Sequence, residues 1–145
     1  MKIAVGADER LHVVDVILDH LAEEGYEVIW HGPDKGDAAP WPQVAHQVGE
    51  DVAAGRAESG ILFCWTGTGV SIAANKVRGI RAALCDDAET ARGAKLWNNA
   101  NVLCMSLRRT SEVIAKEIIQ TWFDTAYLPN PVDDGNLALL EKQEG

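Results

Sequence analysis

The sequence predicts a three-layer αβα sandwich around a five-stranded parallel sheet. Three observations carry that prediction: five short apolar runs rich in β-branched residues, helical periodicity in the stretches between them, and glycine or proline turns at the joins. The runs are Lys2–Ala7, Tyr26–Trp30, Gly60–Cys64, Ile80–Leu84 and Asn101–Met105. After the first of them, Leu11, Val14, Ile17, Leu18 and Leu21 repeat at helical spacing, and Glu23-Glu24-Gly25 supplies the stop. Gly32–Pro40 is a turn-rich loop, and a second helix runs from about Pro42 to Gly55. Asp87–Trp97 and Ser111–Asp124 read as two more helices. Leu128–Gly135, holding Pro129, Pro131 and Gly135, reads as an extended linker into a short terminal helix. Strands that alternate with helices give a parallel sheet covered on both faces, a Rossmann-like arrangement. Residues 1–145 are expected to form a single domain, with 128–145 as a C-terminal extension.

Composition excludes several classes of function. A chain of 145 residues, 47% hydrophobic and 24% charged, has the balance of a globular domain with a sizeable core. The formal net charge of −9 opposes nucleic-acid or anionic-membrane partners, and no basic cluster offsets it. Met1–Gly6 has no signal-peptide character and no apolar run reaches the length of a membrane span, so a cytoplasmic location is expected. Cys64, Cys85 and Cys104 are odd in number and lack CxxC spacing; free thiols are expected, with neither a full disulfide framework nor a zinc knuckle.

Ligands of open parallel sheets sit beyond the carboxyl ends of the strands, where loops and helix N-termini converge. Those ends carry Asp8 after the first strand, Cys64-Trp65-Thr66-Gly67-Thr68-Gly69 after the third, Asp86-Asp87 after the fourth and Arg108 after the fifth. Trp97 to Asn101 leads into the fifth. The segment after the third strand has little side-chain bulk, so its backbone can approach a ligand. Its exposed N–H groups could stabilise an oxyanion and favour the thiolate of Cys64. A base beside an oxyanion site suits proton abstraction next to a carbonyl, the step that turns an aldose into an enediol and then a ketose. Taken alone, a cysteine at a strand end is more often inert core, and a glycine-rich turn can be a mere tight connection. The segment has neither the Gly-Lys-Ser/Thr ending of a P-loop nor GxGxxG spacing.

Longer stretches are more specific. Gly60 through Val77, continuing as Gly79-Ile80-Arg81-Ala82-Ala83-Leu84-Cys85, is similar to the central signature of the type B ribose-5-phosphate isomerases and galactose-6-phosphate isomerases. Asn98-Asn99-Ala100-Asn101-Val102-Leu103 resembles their second signature, and Gly6-Ala7-Asp8 the opening of their first. The resemblance spans Met1 to about Phe123. It implies an aldose–ketose isomerase with no metal or organic cofactor, working as a homodimer or a dimer of dimers with active sites at the subunit boundary. It further implies Cys64 as the base moving a proton between C1 and C2, and Thr66 as an aid to ring opening or sugar orientation. The amides around Gly67, Thr68 and Gly69 would hold the enediolate, Asp8 and Asn98 sugar hydroxyls, and Arg108 phosphate. Without the resemblance, Asp8 could equally cap a helix and Arg108 could be an ordinary surface arginine.

This chain also departs from the family pattern. Where the family has Asp-His-Ala-Gly, Asp8 is followed by Glu9-Arg10-Leu11, placing Glu9 at a substrate-facing position. Trp97 stands where the family has its ring-opening histidine, and indole cannot shuttle a proton as imidazole does. Trp65 replaces a glycine beside the base, whereas Trp41-Pro42 keeps the family's aromatic before a proline and with it a flat sugar-packing surface. Trp41, Trp65 and Trp97 are therefore either stacking surfaces for a sugar or core residues. The basic C-terminal phosphate segment of the family has no counterpart in Pro129–Gly135. The expected substrate is a small sugar or sugar phosphate other than ribose 5-phosphate, either short-chain or unphosphorylated. A sugar-binding homologue without catalysis, or a subunit completing a partner's site, are the competing classes.

Overall fold

A computed structural model of the chain describes residues 1–144. In chain order the elements are β1 (Lys2–Ala7), α1 (His12–Glu23), β2 (Glu27–His31), α2 (Trp41–Ala53), β3 (Ser59–Cys64), α3 (Thr68–Ala74), β4 (Ala82–Leu84), α4 (Ala88–Asn98), β5 (Val102–Ser106), α5 (Glu112–Asp124) and α6 (Pro131–Gln143). The strands form one parallel sheet in the order β2-β1-β3-β5-β4. That is the predicted three-layer Rossmann-like sandwich.

Two apolar clusters explain why both sheet faces are covered. Ile3, Val5, Ile61, Phe63, Leu103 and Met105 point to one face and pack against Val14, Ile17 and Leu21 of α1 and Ile118, Ile119 and Trp122 of α5. Ala4, Leu62, Val102 and Cys104 point to the other and pack against Val44 and Val48 of α2 and Val70 of α3. The alternation follows from the two-residue period of a strand. α2 lies close on β1 because Gly6 has no side chain; a Cβ there would meet Val44 at 2.5 Å. Side-chain caps start three helices: Asp87 accepts from the Thr90 N–H, Ser111 from Ile114 and Asn130 from Asp133.

Most boundaries shift by a residue or two, and two of the changes matter. Asn130 caps α6 and Pro131 occupies its first turn, so the second half of the predicted linker is helical and includes Gly135. β4 is only three residues, because Ile80 and Arg81 precede the strand. Its outer edge is completed by Asn75, whose side chain accepts from the Ala82 N–H at 2.8 Å and donates to the Ala82 carbonyl at 3.0 Å. The asparagine of the central signature thus acts as a substitute strand partner. No helix among the described residues is long and apolar enough to cross a membrane.

Candidate active site

The carboxyl edge of the sheet gathers most of the residues singled out in the sequence. Cys64 ends β3 and is 4% exposed, at the floor of the loop that follows. The chain then turns through Gly67 at φ +76°, a left-handed conformation that side chains resist. A Cβ there would also lie 2.6 Å from Leu84 Cδ1 and 3.0 Å from the Met105 carbonyl carbon, so space and conformation both require glycine. Gly69 has a different reason: a Cβ would stand 3.0–3.2 Å from the Trp41 ring, which closes over the first turn of α3. The Thr66 and Thr68 hydroxyls share a hydrogen bond of 2.7 Å across the turn.

β5 clamps this loop from one side. The Leu107 N–H donates to the Cys64 carbonyl at 2.9 Å and the Arg108 N–H to the Trp65 carbonyl at 3.1 Å. The Ser106 hydroxyl also donates to the Trp65 carbonyl, at 3.0 Å. Arg108 is exposed beside the loop and makes no ion pair among the described residues. Ser106 was not legible as a site residue, since it follows directly on the apolar run Asn101–Met105 and reads as the step from strand to turn.

On the other side lie Asp8 and Glu9. Asp8 does not cap α1, whose N-cap is Leu11 with no side-chain bond. Its Oδ1 is buried without a hydrogen-bond partner, and burial, aided by the neighbouring Glu9 charge, raises its carboxyl above the ordinary range. Glu9 bridges to Ala38, and the Ala39 N–H donates to the Asp8 carbonyl at 2.9 Å. Those contacts tie the Gly32–Pro40 loop to the β1 end and so place Trp41.

The aromatic residues sort cleanly. Trp41, Trp65 and Trp97 are 41%, 58% and 58% exposed, whereas Trp122 is fully buried. The three singled out are not core. Trp97 packs on Gly93, where a Cβ would meet its ring at 2.7 Å. Trp97 and Asn98 nevertheless lie beside Ala83 and Leu84 of β4, two strands across the sheet from Cys64 on β3. α4 leaves the carboxyl edge after β4 and returns, so they lie near the start of β5, whose last residue, Ser106, is the one aligned with Cys64.

The other two thiols are unsuited to proton transfer. Cys85 is pushed up to about 12 by burial and by Asp86 and Asp87, and burial drives Cys104 up as well. Among the described residues no group of three His, Cys, Asp or Glu side chains is placed to hold a metal ion. His12 pairs with Glu112 at 2.9 Å on the surface.

A thiol buried under a glycine-bent loop with a carboxylate opposite is equipment for moving a proton on a small polar substrate. The fold and this arrangement are those of the sugar isomerases that the chain resembles. The chain belongs to the Ribose/Galactose Isomerase family, whose sequence model matches residues 3–133. It is 38% identical over 129 residues to the D-erythrulose-4-phosphate isomerase of Pectobacterium atrosepticum, covering 88% of this chain and 85% of that one. It is 39% identical over 127 residues to ribose-5-phosphate isomerase B of Escherichia coli, covering 87% and 85%. Ribose-5-phosphate isomerase B of Clostridium thermocellum superposes with a TM-score of 0.94 at 34% identity, over 99% of this chain and 97% of that one.

Proposed function

We propose that the protein interconverts an open-chain aldose phosphate and its ketose, with Cys64 as the base. The observation that carries this reading is the position of Cys64 as the last residue of β3, directly before the loop that bends at Gly67 into α3. The Cys64 thiolate removes the C2 proton of the aldose, and the electron pair forms the enediolate double bond. The oxygen at C1 gains negative charge, stabilised by the amides of Thr66, Gly67, Thr68 and Gly69. Return of the proton to C1, with transfer of the hydroxyl proton from O2 to O1, gives the ketose; no electron acceptor is required.

The substrate class follows from Trp97. Indole cannot protonate a ring oxygen, so the substrate must present its carbonyl without help. A four-carbon sugar phosphorylated at O4 has no hydroxyl left to close a five-membered ring. It is therefore open-chain at all times. The P. atrosepticum D-erythrulose-4-phosphate isomerase, at 38% identity, stands level with the E. coli ribose-5-phosphate isomerase B at 39%, so the preference for this class rests on Trp97. Asp8 with its unpartnered Oδ1 would hold a sugar hydroxyl, Glu9 would bound the cleft beside it, Trp41 and Trp65 would stack on the carbon chain, and Arg108 would take the phosphate. Trp97 and Asn98 can join Cys64 only from a second copy of the chain, so we place the active site between two subunits of a homodimer.

The test is deuterium exchange at C2 of four-, five- and six-carbon aldoses, with and without terminal phosphate. Exchange is expected with D-erythrose 4-phosphate and should fall by at least about 10³-fold in Cys64→Ala, as for loss of a general base. Exchange that survives the substitution, or binding without exchange, would overturn the assignment.

A further inference from the structure

We infer that Ser106 is a positioning residue that aims the Thr66 amide at the developing enediolate. The inference rests on the isomerase reading above and adds a residue to it. Ser106 is 5% exposed and aligned with Cys64 across the β3–β5 pair. Its hydroxyl donates to the Trp65 carbonyl at 3.0 Å, and the Arg108 N–H donates to the same oxygen at 3.1 Å. Two donors from β5 and the turn after it therefore fix one carbonyl in direction.

Peptide planarity converts that into a statement about the next amide. The chain has no cis peptide bond, so in the Trp65–Thr66 peptide the N–H points opposite to the C=O. With the carbonyl drawn toward β5, the Thr66 N–H faces away from β5. In the sheet order, β1 and Asp8 lie on that side of β3. The Thr66 N–H donates to no backbone carbonyl among the described residues. It is a donor without a backbone acceptor, two residues past Cys64, in a peptide held from behind by β5.

A donor that is aimed in advance costs no reorganisation when charge develops on the substrate. Without the Ser106 hydroxyl the peptide keeps one restraint and can rock about it. Ground-state binding, which spreads over many contacts, should change little. Stabilisation of the enediolate should weaken.

The experiment compares wild type with Ser106→Ala, Ser106→Cys and Ser106→Thr on D-erythrose 4-phosphate. It also measures binding of 3-phospho-D-glycerohydroxamate, in which a hydroxamate replaces carbons 1 and 2. Alanine, and cysteine as a near-isostere with a weak donor, should lower kcat by about 10- to 100-fold with KM changed by less than about threefold. The hydroxamate should lose affinity by the same factor as kcat, and threonine, which keeps the hydroxyl, should restore both. A kcat within about twofold of wild type in both alanine and cysteine variants would overturn the inference. So would losses that track the unfolding midpoint or fall equally on substrate and hydroxamate, since those describe a merely structural serine. A wild type that exchanges no proton with any sugar of the panel overturns the functional reading and takes this inference with it, whereas an active wild type with unaffected variants removes Ser106 alone.

Discussion

At Gly67 the chain adopts φ +76° within contact of Leu84 and the Met105 backbone. Gly67→Ala adds left-handed strain of about 1–2 kcal/mol and an overpacking cost of similar size, so a urea midpoint shift equivalent to about 2–4 kcal/mol is expected. Gly69 is required for another reason, the Trp41 ring at 3.0–3.2 Å from any added Cβ. Gly69→Ala must displace that ring, so its effect should appear in the Trp41 environment and in KM more than in stability. Tryptophan fluorescence beside steady-state kinetics checks it, and an unchanged emission spectrum with unchanged KM would remove Trp41 from the substrate wall. The need for glycine at Gly67 was legible in the run of small residues. The partner of Gly69 was not, because Trp41 is distant in sequence and reaches it only through the packing of α2.

The orientation of α2 is fixed at the end remote from Trp41. Asp51, in its last turn, takes a 2.5 Å hydrogen bond from His31 at the end of β2 and one of 2.8 Å from Arg56. Burial works to raise the Asp51 carboxyl, but His31 and Arg56 together outweigh it and hold it below its ordinary value of 3.8. A carboxylate whose folded value is depressed contributes stability above the unfolded value and loses it as pH falls through the folded one. Asp51→Asn should therefore cost about 2–3 kcal/mol at pH 7, the worth of charge-assisted hydrogen bonds. That difference should hold down to about pH 5 and close below about pH 4 in pH-dependent urea unfolding. A gap that persists at low pH would show that the carboxylate charge is not its source. At this scale the helices α1, α2, α4 and α5 were legible from their periodicity. The start of α6 was not, because Pro131 reads as a breaker until Asn130 is seen to cap the turn that it opens.

The placement of Trp97 and Asn98 has its consequence in the assembly. If two chains share each site, a Cys64→Ala subunit and an Asn98→Ala subunit complement each other. Their mixed dimer holds one site with both groups and one with neither. Random pairing of two inactive variants should then restore about a quarter of wild-type activity, because half the dimers are mixed and half their sites are intact. Activity no higher than that of the variants alone, in a mixture verified to contain mixed dimers, would place the whole site in one subunit. The fold class was determined by the sequence itself, because strand and helix periods are local and alternate without interruption. Cys64 and its loop were equally local, a contiguous segment whose residue types state their chemistry. Tertiary structure alone decided that the Trp65 carbonyl is gripped by Ser106, that Asp8 is left with an unpaired oxygen and no helix to cap, and that Trp97 packs beside β4, two strands across the sheet from the thiol. Each depends on which strands become neighbours and in what register, and register is set by long-range packing that no local pattern encodes.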